Sequence, residues 1–165
     1  MRILGIDPGY ALIGIGVIDY IGNKFEPVKY GKIETTAGLP LTQRLKTIHE
    51  MLNIWILETK PDVVAIEELF FNTNTKTAIS VAQARGVIML TCSLHNIEIF
   101  EYTPLQVKQA VVGYGRAEKL QVQKMVKSLL NLEKIPKPDD TADALAIAVC
   151  HANNSGFANA LSKML

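Results

Sequence analysis

Short apolar runs separated by turn-forming residues dominate the first third of the chain. Arg2 to Ile6 is apolar, Asp7-Pro8-Gly9 interrupts it, and Ile13-Gly14-Ile15-Gly16-Val17-Ile18 resumes an extended apolar pattern, so strand, turn and strand are expected. Lys24 to Glu34 supplies a third strand and completes an antiparallel meander. The period then changes. From Leu39 to Thr59, Leu41, Leu45, Ile48, Leu52, Trp55 and Ile56 recur at steps of three and four, which predicts an amphipathic helix ended by Lys60-Pro61. Val63-Val64-Ala65-Ile66 is a continuous apolar run suited to a strand buried on both faces, with Glu67 at its end. Asn72 to Thr75 reads as a loop, Lys76 to Leu94 as a helix of small and apolar residues, and Glu98 to Tyr102 as a fifth strand.

Beyond Pro104, helix and loop alternate. A short helix stops at the glycine-jointed break Val111-Val112-Gly113-Tyr114-Gly115, a longer one covers Glu118 to Leu130, and a proline-spaced linker follows. Asp139 or Asp140 can cap a last helix reaching about Asn153. These elements predict an α/β fold: a five-stranded mixed sheet with its first strand central and helices on both faces, which is an RNase H-like arrangement. With 165 residues one domain is expected, spanning 1–153, with 154–165 as a flexible tail.

Composition adds little until charge is followed along the chain. The net charge is +1, yet Pro104 to Pro138 holds Lys108, Arg116, Lys119, Lys124, Lys127, Lys134 and Lys137 against only Glu118 and Glu133. That stretch is a candidate anion-binding surface, and the remainder is acidic. Cys92 and Cys150 lie far apart in apolar surroundings without ligand spacing, which fits buried thiols in a reducing compartment. Met1 to Ile6 lacks the form of a secretory signal and no run approaches the length of a membrane span, so a cytoplasmic protein is expected.

Candidate chemistry comes from acids in apolar places. Asp7 ends a strand as apolar as Ile3-Leu4-Gly5-Ile6, where a carboxylate is costly unless a cation or strong hydrogen bonds compensate it. Glu67 poses the same problem at the end of Val63 to Ile66. Asp140 and Asp143 stand three apart at a helix start, which sets them on one face about 5–6 Å apart at Cβ. Ala142, Ala144, Ala146 and Ala148 keep that helix slim, so it can bring this face against Asp7 and Glu67. Oxygen ligands without histidine or thiol suit Mg²⁺ or Mn²⁺, and two such ions would serve phosphodiester hydrolysis. Singly, each acid also has a plain structural explanation: a cap, a solvated helix face, a strand end, a turn.

The motifs Ile6-Asp7-Pro8-Gly9, Ala65-Ile66-Glu67-Glu68 with Phe70, Gln83-Ala84-Arg85-Gly86, Gln106-Val107-Lys108-Gln109 and Asp140-Thr141-Ala142-Asp143-Ala144-Leu145-Ala146 resemble the bacterial Holliday-junction resolvase family RuvC, in family order from Met1 to about Asn153. The resemblance implies a homodimeric, Mg²⁺-dependent endonuclease that nicks opposed strands of a four-way DNA junction and leaves 5′-phosphates. It also implies a RuvA–RuvB branch-migration partner. The family's catalytic and metal-holding carboxylates fall on Asp7, Glu67, Asp140 and Asp143. Asp139 beside Asp140 competes for the ligand or cap role.

Lys108 and Lys119 match basic residues of that family near the scissile phosphate, and a solvated helix face is the plain alternative. Phe70 matches a junction-inserting aromatic, whereas Phe71 reads as packing. Arg85 suits either a phosphate or a dimer contact, Arg116 belongs to the basic stretch, and Tyr114 either stacks on a base or closes its loop. His49, His95 and His151 lack ligand spacing. Three other functions compete: a nuclease for structured RNA like the YqgF relatives, a non-catalytic junction-binding module, and an actin-like ATP-binding fragment.

Overall fold

The computed structural model describes residues 1–68 and 75–162 of the chain. Five strands, β1 (Arg2–Asp7), β2 (Leu12–Ile21), β3 (Lys24–Glu34), β4 (Val63–Glu67) and β5 (Glu98–Tyr102), form one sheet in the order β3-β2-β1-β4-β5. The β1–β2 and β2–β3 pairs are antiparallel, and β1–β4 and β4–β5 are parallel. The sheet is therefore mixed with β1 at its centre, as the element order predicts.

The helices are α1 (Leu41–Thr59), α2 (Thr75–Leu94), α3 (Pro104–Val112), α4 (Lys119–Leu129) and α5 (Asp139–Ser162). Their ends follow local chemistry. Lys60 takes the left-handed conformation at φ 47° and its N–H closes α1 on the Ile56 carbonyl. Thr103 and Gln106 cap α3 reciprocally: the Thr103 hydroxyl accepts from the Gln106 N–H, and Gln106 Oε1 accepts from the Thr103 N–H. Gly113, at φ 91°, ends α3 in a conformation that disfavours a side chain.

Strand parity divides the core. Leu4, Ile6, Val64 and Ile66 face Ile48, Leu52, Trp55, Ile56, Ala84 and Ile88 of α1 and α2. Ile3, Ile18, Ala65 and Tyr102 face Val107 and Val111 of α3, Val122 and Val126 of α4, and Leu145 to Val149 of α5. Since side chains alternate faces along a strand, Gly5, Asp7 and Glu67 belong to this second face. Cys92 and Cys150 are buried and unpaired, and burial pushes both thiols up to about 12.

Helix α5 continues to Ser162, beyond the end expected near Asn153. Around that point Asn153 Nδ2 donates to the Ala110 carbonyl at 3.0 Å, Asn154 Nδ2 to the Cys150 carbonyl at 2.9 Å, and Ser155 Oγ to the Ala152 carbonyl at 3.0 Å. Polar side chains that would compete with the helix are thus bonded to helical carbonyls. No described helix is long and apolar enough to cross a membrane.

Candidate active site

Ile6 and Ile66 are register partners in the parallel β1–β4 pair, so Asp7 and Glu67, one residue on, end adjacent strands on the same face. The first turn of α5 lies over them because the sheet beneath it lacks side chains. A Cβ on Gly5 would stand 2.1 Å from the Ala144 carbonyl oxygen, one on Gly14 1.9 Å from the Asp140 carbonyl oxygen, and one on Gly16 2.8 Å from Leu145. Gly14 is the register partner of Asp7, which sets the α5 turn carrying Asp140 directly beside Asp7. Thr141, fully buried, anchors the same turn by donating from Oγ1 to the Gly31 carbonyl of β3 at 3.0 Å.

Asp139 and Asp140 both lie in the first turn of α5, where the helix dipole favours negative charge. Their surroundings differ, although Asp139 also lies 3.9 Å from Lys119 and its charge adds to the rise at Asp143. Asp139 pairs with Lys137 at 2.6 Å, and that contact holds its carboxyl below the usual range. The charges raising the Asp7 pKa are those of Glu67, Asp143 and Asp140, with Asp139 not among them.

Electrostatics couples the four acids. Burial, followed by Glu67, Asp143 and Asp140, pushes Asp7 up to about 8. Burial and then Asp143 raise Glu67, while Lys119 and Lys108 oppose the shift. Burial also raises Asp143, against the pull of Lys119, whose Nζ lies 2.8 Å from Asp143 Oδ2 and 3.9 Å from Asp139 Oδ2. The site is therefore an acidic concavity whose charge is only partly balanced. Next to it a cavity of about 210 Å³ is lined by Glu67, Asp143, Lys108 and Lys119 over an apolar floor that includes Val107, Val122 and Ile147.

The donor set fits a hard divalent cation: it is all oxygen, it is partly buried, and an ammonium already stands against one member. Among the described residues no three acidic, histidine or thiol side chains are gathered tightly enough to form a ready-made cage. The acids thus border a space rather than close on a single point.

The other expected site residues are distributed unevenly. Lys108 and Lys119 border the cavity, and Arg116 is exposed on the loop between α3 and α4. Arg85 is not brought to the acids: it is on α2, packed against the opposite face, where its guanidinium pairs with Glu101 and approaches Met89 Sδ at 3.2 Å. Tyr114 closes its loop by donating to Gln121 Oε1 at 2.9 Å. Phe70 and Phe71 lie outside the described residues. His49 and His95 bond Thr91 and Asn53 between α1 and α2, and His151 is buried against Tyr102 and Phe100. Missed from sequence are Gly14 and Gly16, whose signal was a pair of glycines two apart in a strand, and Thr141.

A family model described as Crossover junction endodeoxyribonuclease RuvC matches residues 3–151. A relative from Alkaliphilus oremlandii, named Crossover junction endodeoxyribonuclease RuvC, is 62% identical over 157 residues, 95% of this chain and 96% of the relative. Among solved structures, Thermus thermophilus RuvC superposes with TM-score 0.89 at 34% identity, covering 96% of this chain and 97% of that one. The same protein in complex with Holliday junction substrate gives TM-score 0.91 at 34% identity, with 96% of each chain covered.

Proposed function

Because the chain belongs to the crossover junction endodeoxyribonuclease RuvC family, we propose that it resolves four-way DNA junctions in homologous recombination and repair by hydrolysing one phosphodiester bond in each of two opposed strands. The observation that carries this reading is the electrostatic coupling of Asp7 to Glu67, Asp143 and Asp140, next to a cavity that Glu67 and Asp143 line together with Lys108 and Lys119.

Asp7 and Glu67, fixed at strand ends, and Asp140 and Asp143, on the first turns of α5, would hold magnesium, with manganese able to substitute and two ions in each site. When bound, the metal supplies activation of the attacking water and neutralisation of the leaving oxygen. The protein's own contribution is positional. The two strand-borne acids are rigid, the two helix-borne acids complete the set, and Lys108 and Lys119 face the strand's phosphates. Water adds to phosphorus and the bond to the 3′ oxygen breaks, so each nick carries a 3′-hydroxyl and a 5′-phosphate and can be ligated.

Paired nicks require two sites, and the exposed apolar side chains support a homodimer. Ile79, Leu90 and Leu94 share one exposed stripe of α2, and Met51, Ile54 and Leu57 are exposed on neighbouring α1. Such a patch suits a two-fold interface. Phe70 remains the candidate aromatic at the junction centre, and the RuvA–RuvB complex the expected partner in the cytoplasm.

The test is cleavage of a synthetic four-way junction, with and without Mg²⁺, beside linear duplex and structured RNA, with the nicks mapped. Symmetric metal-dependent nicks on the junction are expected. A preference for RNA, or metal-independent products, would reject the reading.

A further inference from the structure

Asp7 ends β1, just before the turn that joins β1 to β2, and contacts that hold that turn lie outside the acidic cluster. Arg44, on α1, is only 8% exposed. Its Nε donates to Thr35 Oγ1 at 2.8 Å, and the Thr35 hydroxyl donates onward to the Tyr10 carbonyl at 2.9 Å. Arg44 Nη2 reaches the same carbonyl at 3.4 Å, and the guanidinium carbon sits 3.6 Å from the centre of the Tyr10 ring. The Thr35 N–H donates to the Ala11 carbonyl at 3.0 Å. Tyr10 is therefore gripped at its ring and its carbonyl, three residues from Asp7.

This arrangement is unusual in its charge. A buried guanidinium is ordinarily matched by a carboxylate, yet among the described residues Arg44 forms no ion pair. Packing alone would be served by leucine or methionine. What arginine adds is a planar fork that stacks on an aromatic ring while donating in its plane to fixed acceptors. The charges that act on Asp7 are those of its acidic neighbours and Lys119, not Arg44, so any influence runs through the backbone.

We propose that Arg44, acting through Thr35 and Tyr10, is a positioning residue that fixes the β1–β2 turn and thereby aims the Asp7 carboxylate into the metal site. This rests on the reading of Asp7 as a metal-holding carboxylate. The bond chain joins three segments, the start of α1, Thr35 just after β3 and the turn, and includes none of the four acids.

The experiment compares Arg44→Met, Thr35→Val, the double variant and Asp7→Asn in the full-length protein. Cleavage at saturating junction is followed against Mg²⁺ concentration, junction binding is measured without metal, and Mn²⁺ binding is measured by electron paramagnetic resonance without DNA. Arg44→Met and Thr35→Val are expected to bind the junction like the parent but to lose about 10- to 100-fold in kcat or metal affinity, as when a ligand's support is removed. Because both residues act as one unit, the double variant is expected to be no worse than Arg44→Met. A lowered melting temperature with unchanged kcat and Mn²⁺ binding would overturn the proposal in favour of a structural strut. Weaker junction binding with unchanged kcat would overturn it in favour of a phosphate contact. If Arg44→Met does not fold, Thr35→Val decides by the same criteria. Parent-like cleavage by Asp7→Asn rejects the metal-site reading and the proposal together, whereas an inactive Asp7→Asn beside a fully active, normally metal-binding Arg44→Met rejects the proposal alone.

Discussion

Lys119 Nζ stands 2.8 Å from Asp143 Oδ2, and its charge opposes the pKa rise at Asp7, Glu67 and Asp143 alike. It thus serves as the internal counter-ion of the site and occupies, by charge, the place a divalent ion would take. Its ammonium has three donors, so the contact with Asp143 leaves others for a substrate phosphate. Lys119→Met is expected to bind Mn²⁺ several-fold more tightly than the parent without DNA, while junction cleavage falls. Calorimetric titration with Mn²⁺ checks this, and weaker metal binding by the variant would show that Lys119 assists rather than replaces the ion.

The folded-state pKa of Asp7, about 8, lies above its ordinary value of 3.8. A raised carboxyl pKa makes its stabilising contribution fully present below the unfolded value and lost as pH rises through the folded one. In metal-free protein this contribution declines between roughly pH 4 and 8. Asp7→Asn, which stays neutral, is expected to melt higher than the parent in EDTA, with a gap that widens toward pH 8. For a chain of this size each kcal/mol relieved raises the melting temperature by about 2–4 °C. Excess Mg²⁺ should narrow the gap by stabilising only the parent. Melting curves across pH, with and without metal, decide it, and a gap independent of pH would remove Asp7 as the coupled group.

Much of this was readable along the chain, and the remainder has physical reasons for staying hidden. Asp7 and Glu67 stood out because an acid at the end of an apolar strand is conspicuous, and the parallel pairing of β1 with β4 sets them side by side. The alanines of α5 announced close packing, but half of that contact belongs to Gly5, Gly14 and Gly16, whose partners appear only once the register is known. Asp139 and Asp140 are indistinguishable by spacing. What distinguishes them in the structure is Lys137, two residues away, which pairs with Asp139, whereas the charge of Asp140 acts on Asp7. Arg85 stays open in the sequence between a phosphate and a dimer contact, because its partner Glu101 reaches it only through the packing of α2 against the sheet. The end of α5 was misjudged because Asn and Ser side chains there bond to helical carbonyls instead of breaking the helix.

The exposed stripe of α2 gives the dimer a specific test. Leu90 and Leu94 are 58% and 64% exposed, and among the described residues nothing lies within 4 Å of a Cβ added at Gly86, between Ile79 and Leu90. Leu90→Glu places a charge in the stripe without disturbing the core. Sedimentation is expected to show dissociation, and the junction products to change from paired nicks to single ones. A variant that stays dimeric and still nicks in pairs would move the interface elsewhere.

Gly14→Ala tests whether the site depends on how closely α5 approaches the sheet. The added Cβ would lie 1.9 Å from the Asp140 carbonyl oxygen, a backbone atom that cannot rotate away, so the first turn of α5 must lift or β2 must yield. Overpacking of this kind costs about 1–3 kcal/mol. The larger effect is expected on cleavage, because the lifted turn carries Asp140 and Asp143 while Asp7 and Glu67 stay with their strands. Loss of about 10²-fold in kcat is the scale of a displacement near 1 Å. Thr141→Val, which removes the 3.0 Å bond to Gly31, loosens the same turn without a clash and should lower kcat in the same direction by less. Single-turnover rates at saturating Mg²⁺, set beside melting temperatures, separate the two effects. If Gly14→Ala lost stability but kept its rate, the approach of α5 would matter to folding and not to the placement of the acids.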